Sequence, residues 1–297
     1  MAATIKPQQF AKLPNGQRLH YASAGEPGKP LLLFLHGFPE FWYAWHEQLQ
    51  TFGGEYFAVA PDLRGFNLSD MPTEVEAYHP KRLQQDIEEL IAYLGYEQCI
   101  LVAHDWGGAV AWNLAIARPA LLKKLIIINA THPVPFAEGL AHDAEQQAAS
   151  EYMNWLRAKG SEQALAKDEF ALLEKLMLGL GSQVSWFDQA TREQYHACWS
   201  RGLTGGVNYY RSTPLHPPTD KEPGAAALSL DPAKFQCHVP VRVIWGEQDT
   251  ALLPALVDAM PRFVSDLKIH RLPDASHWVV HEQPQKINQL LAQFLAE

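Results

Sequence analysis

The sequence predicts an α/β fold in which a mostly parallel central sheet is flanked by helices and interrupted by an inserted helical cap domain. Two observations lead to this prediction. In the first and last thirds of the chain, short apolar runs alternate with segments of helical periodicity, and in the middle third helical periodicity continues without such runs. Alternation of strands and helices is typical of parallel sheets, because a crossover between parallel strands usually contains a helix.

The predicted strands are short and apolar, as expected of strands that are covered on both faces. They lie at residues 31–35, 57–60, 99–103, 125–128, 241–245 and 267–271. Helical periodicity marks residues 82–94, 109–116, 144–156, 170–178, 192–200 and 284–295.

The middle of the chain differs from the two ends. Between residues 132 and 223 the pattern is helical and contains no convincing strand, and a loop rich in Pro and Gly at residues 214–232 leads out of this segment. We therefore predict that residues 1–131 and 224–297 form the core domain and that residues 132–223 form an inserted cap, or lid.

Composition and charge exclude several classes of protein. The chain has 297 residues, 47% of them hydrophobic, and a formal net charge of −9 without any Lys/Arg-rich run, so we expect no binding to nucleic acid or to an anionic membrane. The first residues lack a secretory signal pattern, and no apolar run approaches the ~20 residues that span a bilayer, so a cytoplasmic location is expected. Neither a metal site nor a phosphate-binding glycine loop is present in the sequence. Cys99, Cys198 and Cys237 are interpreted as structural thiols.

An aspartate stands where a serine would complete a nucleophile elbow. Asp105 lies between the predicted strand 99–103 and the predicted helix 109–116. The sharp turn of such an elbow needs small neighbours, and Ala103 and Gly107 meet that need. A carboxylate has a reference pKa near ~4, so Asp105 would be ionised at neutral pH and could attack carbon without help from a base.

A base and an orienting acid follow later strands. Asp249 comes after the strand 241–245 and His277 after the strand 267–271, so both belong to the sheet edge at which active residues gather. The chain order of nucleophile, acid and base is that of the α/β-hydrolases. Asp274 competes with Asp249 for the role of the acid, but it stands in a Pro-Asp turn, where local capping is expected.

Two backbone N–H groups are candidates for an oxyanion hole. The sequence His36-Gly37-Phe38-Pro39 follows the first predicted strand, and a loop there can direct the N–H of Phe38 at a developing negative charge. The second donor would be the N–H of Trp106. Phe38-Pro39 is also a candidate cis peptide, because an X-Pro bond adopts that form at modest cost.

At this point the chain resembles the epoxide hydrolases of the α/β-hydrolase superfamily, and the resemblance extends over nearly its full length. Five motifs carry it. They are His36-Gly37-Phe38-Pro39 with Trp42 and Trp45, Asp62-Leu63-Arg64-Gly65-Phe66 with Ser69-Asp70, His104-Asp105-Trp106-Gly107-Gly108, Asn129 with His132-Pro133, and Asn208-Tyr209-Tyr210-Arg211.

The resemblance implies a reaction and assigns roles. In that family two cap tyrosines donate hydrogen bonds to the epoxide oxygen, and they correspond here to Tyr210 and Tyr152. Asp105 would form an alkyl ester, and water activated by His277 would hydrolyse the ester to release a vicinal diol. The implied partners are a small apolar epoxide and water, and no cofactor is implied.

The apolar and aromatic composition of the cap predicts an apolar pocket. We expect Trp106, Trp155 and Phe38 to bind the substrate. The sequence leaves the assembly open between a monomer and a homodimer.

Other functions compete with epoxide hydrolysis. A haloalkane dehalogenase would use the same nucleophile, and the indole N–H of Trp106 could bind the halide. A haloacid dehalogenase of the fluoroacetate type is disfavoured, because Trp106 and Ala109 stand where that family has arginines. A hydrolase-fold protein that binds without catalysis is disfavoured because all three triad positions hold competent residues.

Overall fold

An eight-stranded sheet lies at the centre of the computed structural model, which describes residues 2–179, 181 and 185–297. The strands are β1 (Ile5–Lys12), β2 (Arg18–Ala24), β3 (Leu31–Leu35), β4 (Phe57–Pro61), β5 (Cys99–His104), β6 (Leu122–Ile128), β7 (Val241–Gly246) and β8 (Leu267–Leu272). Their order in the sheet is β1-β2-β4-β3-β5-β6-β7-β8. The pairs β1–β2 and β2–β4 are antiparallel, and the pairs from β4 to β8 are parallel. The predicted fold class is confirmed.

The first two strands were not predicted from the sequence. β1 lies at one edge of the sheet and exposes most of its residues, so its pattern is polar rather than apolar. The six central and distal strands were predicted within a few residues. The best example is β3, whose five residues are all buried because helices cover both faces of the sheet.

Helices account for most of the remaining chain. The α-helices are α1 (His46–Phe52), α2 (Pro80–Tyr93), α3 (Asp105–Ala117), α4 (Pro133–His142), α5 (Ala144–Ala149), α6 (Glu151–Arg157), α7 (Ser161–Ala166), α8 (Ala171–Gly179), α9 (Gln189–Trp199), α10 (Thr204–Arg211), α11 (Ala255–Asp258), α12 (Val279–Glu282) and α13 (Pro284–Ala296). Short 3-10 helices span Trp42–Trp45, Val75–Tyr78, Pro119–Leu121, Asp168–Phe170, Gly224–Ala227, Pro232–Phe235 and Met260–Arg262.

Seven of these helices, α4 to α10, lie between β6 and β7, and the described residues of that segment contain no strand of the sheet. The division into a core and a cap at residues 131/132 and 223/224 stays a prediction. Two details of the segment differ from expectation. The predicted helix 144–156 is divided into α5 and α6 by Ser150, whose φ of −100° and ψ of 4° are not helical. The sequence analysis did not predict α4, α7 or α10.

The sheet separates two apolar clusters. On one face, Leu33 and Leu35 pack with residues of α2, α3 and the helices between β6 and β7, and on the other face Leu32 and Phe34 pack with residues of α1 and α13. Burial on both faces fixes the register of β3, because a shift by one residue would exchange the two sets of side chains. Because β3, β5, β7 and β8 all belong to the parallel part of the sheet, their carboxyl ends lie at the same edge of the sheet.

None of the helices in the described ranges is both long and apolar enough to cross a membrane.

Candidate active site

Asp105 lies in a tight turn between β5 and α3. The helix begins at Asp105 itself, four residues before its predicted start, and the φ of this residue is +49°. The turn is closely packed: a Cβ on Gly107 would lie 2.5 Å from the carbonyl oxygens of Leu35 and His36, and a Cβ on Gly37 would overlap the Asp105 carboxylate. Glycine is therefore required at both positions.

The carboxylate of Asp105 has two polar contacts of particular interest. The backbone N–H of Phe38 donates a hydrogen bond of 2.7 Å to Oδ1, and Nε2 of His277 lies 3.5 Å from Oδ2. Phe38-Pro39 is a cis peptide, as the sequence predicted. Trp106 occupies the first turn of α3, where backbone N–H groups have no partner within the helix. The first candidate oxyanion donor thus contacts the carboxylate, and the second belongs to the residue that directly follows Asp105.

His277 contacts a second carboxylate through its other ring nitrogen. Nδ1 donates a hydrogen bond of 2.7 Å to Oδ2 of Asp249, and the side chains of both residues are buried. Oδ1 of Asp249 accepts from the backbone N–H groups of Ala251 and Leu252, at 2.8 and 2.9 Å. The structure therefore brings Asp249 to His277, whereas the competing Asp274 is exposed.

Asn129 is a site residue to which sequence reasoning assigned no role. It follows β6, has a φ of +37°, and donates from Nδ2 to Oδ2 of Asp249 at 2.8 Å. Its Oδ1 accepts from the backbone N–H of Gly246 at 2.8 Å. Asn129 therefore holds the Asp249 carboxylate against the end of β7. The sequence did contain one signal for Asn129, because a polar residue that directly follows a predicted buried strand lies at the edge of the sheet where site residues gather.

Burial and charge act in opposite directions on these groups. Burial disfavours the charge of His277, yet the carboxylates of Asp249 and Asp105 hold its pKa well above the usual value. Burial alone would raise the pKa of Asp105 and of Asp249, but in each case contact with His277 outweighs it and the pKa is lowered. Each of the two carboxylates therefore favours the protonated form of the imidazole that lies between them.

The tyrosines expected in the cap lie beside the nucleophile. Tyr152 in α6 and Tyr210 in α10 are neighbours, with ring centroids 6.2 Å apart, and the ring of Trp106 lies edge-on to Tyr210 at 5.0 Å. Burial raises the pKa of both phenols, and the charge of Asp105 raises them further. Both phenols are therefore protonated and able to donate a hydrogen bond at neutral pH.

A small pocket connects these groups. Apart from Asp105, its lining is almost entirely apolar or aromatic, and none of its lining residues is Lys or Arg. The lining residues are Asp105, Trp106, Ala109, Ala130, Thr131, Phe136, Tyr152, Met153, Tyr210, Leu215 and Leu252. Tyr152, Tyr210 and the nucleophile thus face one cavity, with Trp106 as part of its wall.

Two of the residues expected to bind substrate do not line this pocket. Trp155 lies in α6, is 41% exposed and is not among the residues that line the pocket. The side chain of Phe38 is buried and packs edge-on against Tyr210 at 5.4 Å, so it supports the tyrosine from behind. Aromatic composition did not reveal which face of α6 is turned inward.

Comparison with known proteins identifies the family. Residues 30–284 match the family model described as the alpha/beta hydrolase fold. Epoxide hydrolase 4 of Mus musculus is 35% identical over 292 residues, which cover 95% of this chain and 77% of that protein. Epoxide hydrolase 3 of Mus musculus is 36% identical over 292 residues, with 95% and 75% covered. The chain belongs to the epoxide hydrolase family.

Solved structures of other epoxide hydrolases have the same fold. The epoxide hydrolase of Bacillus megaterium, solved in complex with an inhibitor, is 34% identical with a TM-score of 0.88, over 97% of this chain and 100% of that one. An epoxide hydrolase from an endophytic Streptomyces is 26% identical with a TM-score of 0.82, over 99% and 96%. The resemblance stated from the sequence motifs is confirmed.

Proposed function

We propose that this chain hydrolyses epoxides to vicinal diols through an alkyl ester on Asp105. The observation that carries the proposal is the position of a partly buried carboxylate in a nucleophile elbow, facing two protonated phenols across an apolar pocket. A carboxylate attacks an alkyl carbon only when the leaving group departs readily, and ring strain makes the oxygen of an epoxide such a group.

In the first step, an oxygen of Asp105 attacks one epoxide carbon and the bond from that carbon to the ring oxygen breaks. The departing alkoxide would accept a proton from Tyr152 or Tyr210, and the other phenol would hold it by a hydrogen bond. The raised pKa values of these phenols keep the donated proton in place until the alkoxide forms. This step needs no general base.

In the second step, water attacks the carbonyl carbon of the ester. Ester formation removes the charge of Asp105, which is one of the groups that raise the pKa of His277. The imidazole therefore gives up its proton, which restores the phenol that was deprotonated in the first step, and becomes a base. Asp249, held by Asn129, keeps the base oriented. The N–H groups of Phe38 and Trp106 would hold the tetrahedral oxyanion. As it collapses, the bond from the carbonyl carbon to the alkyl oxygen breaks, and His277 gives that oxygen the proton it took from water, which releases the diol. The Asp105 carboxyl then loses its proton to His277, which restores the starting state.

The proposed substrate is a small apolar epoxide, because the pocket offers apolar contacts and has no cationic side chain for an anionic group. The same feature argues against an anionic haloacid. A haloalkane dehalogenase stays the second candidate, since the indole of Trp106 lies beside the nucleophile; a departing halide, however, needs no proton, and two phenols fit an alkoxide better. A cytoplasmic location and a monomeric or homodimeric state stay predictions.

A single turnover in water labelled with ¹⁸O tests the ester route. With enzyme in excess, the diol of the first turnover should be unlabelled and one ¹⁸O should be found in Asp105, because water attacks the ester carbonyl. Label in the first diol would mean direct attack of water on the epoxide and would overturn the proposal. A parallel assay of chloride or bromide release from haloalkanes decides between the two leaving groups.

A further inference from the structure

The helices that carry the two phenols are joined by an exchange of arginines. α6 contains Tyr152 and ends at Arg157, and α10 contains Tyr210 and ends at Arg211. The carbonyl groups at the end of a helix lack partners within the helix, so they accept hydrogen bonds from other groups. Here each arginine donates to carbonyl oxygens at the end of the other helix.

Hydrogen bonds between the two helix ends run in both directions. Nη1 of Arg157 donates hydrogen bonds of 2.9 Å to the carbonyl oxygens of Tyr210 and Thr213. Nε and Nη2 of Arg211 donate to the carbonyl oxygens of Arg157 and Ala158, at 3.2 and 2.9 Å. An arginine that capped only its own helix would leave α6 and α10 independent, whereas this exchange fixes the end of each helix to the other.

Carboxylates hold both arginines in place. Nη2 of Arg211 lies 2.6 Å from Oε2 of Glu162, and the two side chains are only 15% and 16% exposed. The hydrogen bond from Arg211 lowers the pKa of Glu162, so this carboxylate stays charged. Nη2 of Arg157 lies 2.7 Å from Oε2 of Glu222, which is 59% exposed. Because a guanidinium has several donors in a rigid plane, it contacts carbonyls and a carboxylate at once, which the single ammonium of lysine does not reproduce.

α10 has further contacts that fix it to the loop after β4. The hydroxyl of Tyr209 donates a 2.9 Å hydrogen bond to the carbonyl oxygen of Arg64. The first turn of α10 approaches the same loop so closely that a Cβ on Gly205 would lie 2.3 Å from the carbonyl oxygen of Gly65. The position of Tyr210 is therefore set by contacts of its own helix.

α6 is attached at its two ends to different parts of the molecule. Just before it begins, the side-chain amide of Gln146 donates 2.8 Å hydrogen bonds to Oγ of Ser150 and to the carbonyl oxygen of Ala251, in the loop after β7. At its end, α6 is joined to α10 by the exchange of arginines. The position of Tyr152 relative to Tyr210 therefore depends on that exchange.

We propose that Arg157 and Arg211 are positioning residues that set the separation of Tyr152 and Tyr210, so that both phenols reach the same oxygen. The ring centroids of the two tyrosines are 6.2 Å apart. Neither arginine lines the pocket, so both act through the helices and not on the substrate. Such an effect is large enough to matter, because a displacement of ~1 Å in a reacting group can lower a rate by roughly 100-fold.

NMR of protein labelled with ¹³C-tyrosine tests the separation without any substrate. With resonances assigned from Tyr152→Phe and Tyr210→Phe, the native chain should show nuclear Overhauser effects between the two rings. These effects should weaken by about half or more in Arg157→Lys and in Arg211→Lys, because lysine keeps the charge but lacks the planar donors. Ring contacts of native strength in both variants overturn the proposal.

The kinetic part of the proposal rests on the proposed function. In single-turnover reactions, each lysine variant should slow ester formation by roughly tenfold or more, since a displaced phenol meets the departing oxygen less well. Ester hydrolysis should change little, because Asp249 and His277 are held by contacts of their own. Equal slowing of both steps would indicate a general loss of structure and contradict positioning.

A background without one phenol separates positioning from stability. In Tyr152→Phe, the group that the exchange positions is absent, so adding Arg157→Lys should slow ester formation by less than about twofold, as expected when two residues act through one contact. A further loss as large as that caused by Arg157→Lys in the native chain would show that Arg157 does not act through Tyr152, and would overturn the proposal.

Two further variants complete the experiment. Arg262→Lys is the matched control, because Arg262 also contacts a carboxylate with two nitrogens but is 54% exposed and lies outside α6 and α10; ring contacts and ester formation should stay native. Glu162→Gln replaces the lysine variants if they fail to fold, and it should weaken the ring contacts in the same direction; native contacts in the folded variant count against the proposal. If the native chain opens no epoxide, the proposed function fails, and the ring contacts still decide the role of the arginines.

Discussion

Nε2 of His277 lies 3.5 Å from Oδ2 of Asp105, the carboxylate that the proposed reaction converts into a neutral ester. The pair is therefore electrostatically coupled in the free protein and uncoupled in the intermediate. Since a neighbouring opposite charge favours the charged form, the affinity of His277 for a proton must differ between these two states. The coupling gives the second step of the reaction a pH dependence whose direction follows from the structure.

The first prediction concerns that pH dependence. The pKa of His277 is raised in the free protein by Asp249 and Asp105, and esterification removes the second of these charges. The single-turnover rate of ester hydrolysis should therefore rise with pH and level off, with a midpoint below the pKa of His277 measured by NMR in the free protein. Equal values in the two states would contradict the coupling.

The second prediction concerns the base itself. His277→Gln should form the ester and fail to hydrolyse it, so mass spectrometry should detect protein heavier by the mass of one epoxide. Asp274→Asn is the matched control, because Asp274 lies three residues away and is exposed; it should turn over normally and accumulate no adduct. An unmodified His277→Gln protein in the presence of an accepted epoxide argues against the assignment.

The third prediction concerns the phenols. Tyr210→Phe and Tyr152→Phe should each slow ester formation by roughly 100- to 10,000-fold, the range typical of a lost general acid, while hydrolysis of an ester already formed changes little. Tyr93→Phe serves as the control, since this tyrosine is 49% exposed and lies in α2. Stopped-flow tryptophan fluorescence under single-turnover conditions measures the first step. An unchanged rate would remove the tested phenol from the site.

The fourth prediction concerns Asn129. In Asn129→Ala, Asp249 loses one hydrogen bond and the N–H of Gly246 loses its partner, both in a buried setting. The free energy of unfolding should fall by roughly 1–3 kcal/mol, as expected for buried polar groups left unsatisfied. Ester hydrolysis should also slow, because the acid that orients His277 is no longer fixed. Urea unfolding and single-turnover kinetics measure the two effects, and stability equal to the native chain's would show that Asn129 contributes nothing.

The parts of the fold that could be predicted are those with a strong local signal. β3 consists of five consecutive apolar residues, all of them buried. A short continuous apolar run of this kind is typical of a buried strand, so β3 could be predicted without knowledge of its neighbours. β1 carries no such signal, because an edge strand is paired on one side only and keeps polar side chains on its exposed surface. Burial alone does not explain the difference, because β2 is almost fully buried and was also missed. Its polar residues His20 and Ser23 interrupt the apolar run on which the prediction of a strand depends.

The residues of the candidate site also differ in whether the sequence could predict them. Asp105, Asp249 and His277 each follow a predicted strand, so topology alone suggested that they would meet. Asn129 contacts Asp249, which lies 120 residues away in the sequence, and only the folded chain shows that contact. The assignment of Trp155 to substrate binding stays a prediction, since Trp155 is 41% exposed and is not among the residues that line the pocket.

The nucleophile and the two phenols belong to different parts of the chain. Asp105 is fixed by the turn after β5, whereas Tyr152 and Tyr210 are supplied by helices inserted between β6 and β7. The bond-forming atom and the groups that hold the epoxide oxygen are thus carried by separate segments of the chain, which meet where Tyr210 packs on Phe38 and Trp106. Recombining the inserted helices between relatives offers a route to enzymes that open the opposite carbon of an unsymmetrical epoxide while retaining an unaltered set of residues for ester hydrolysis.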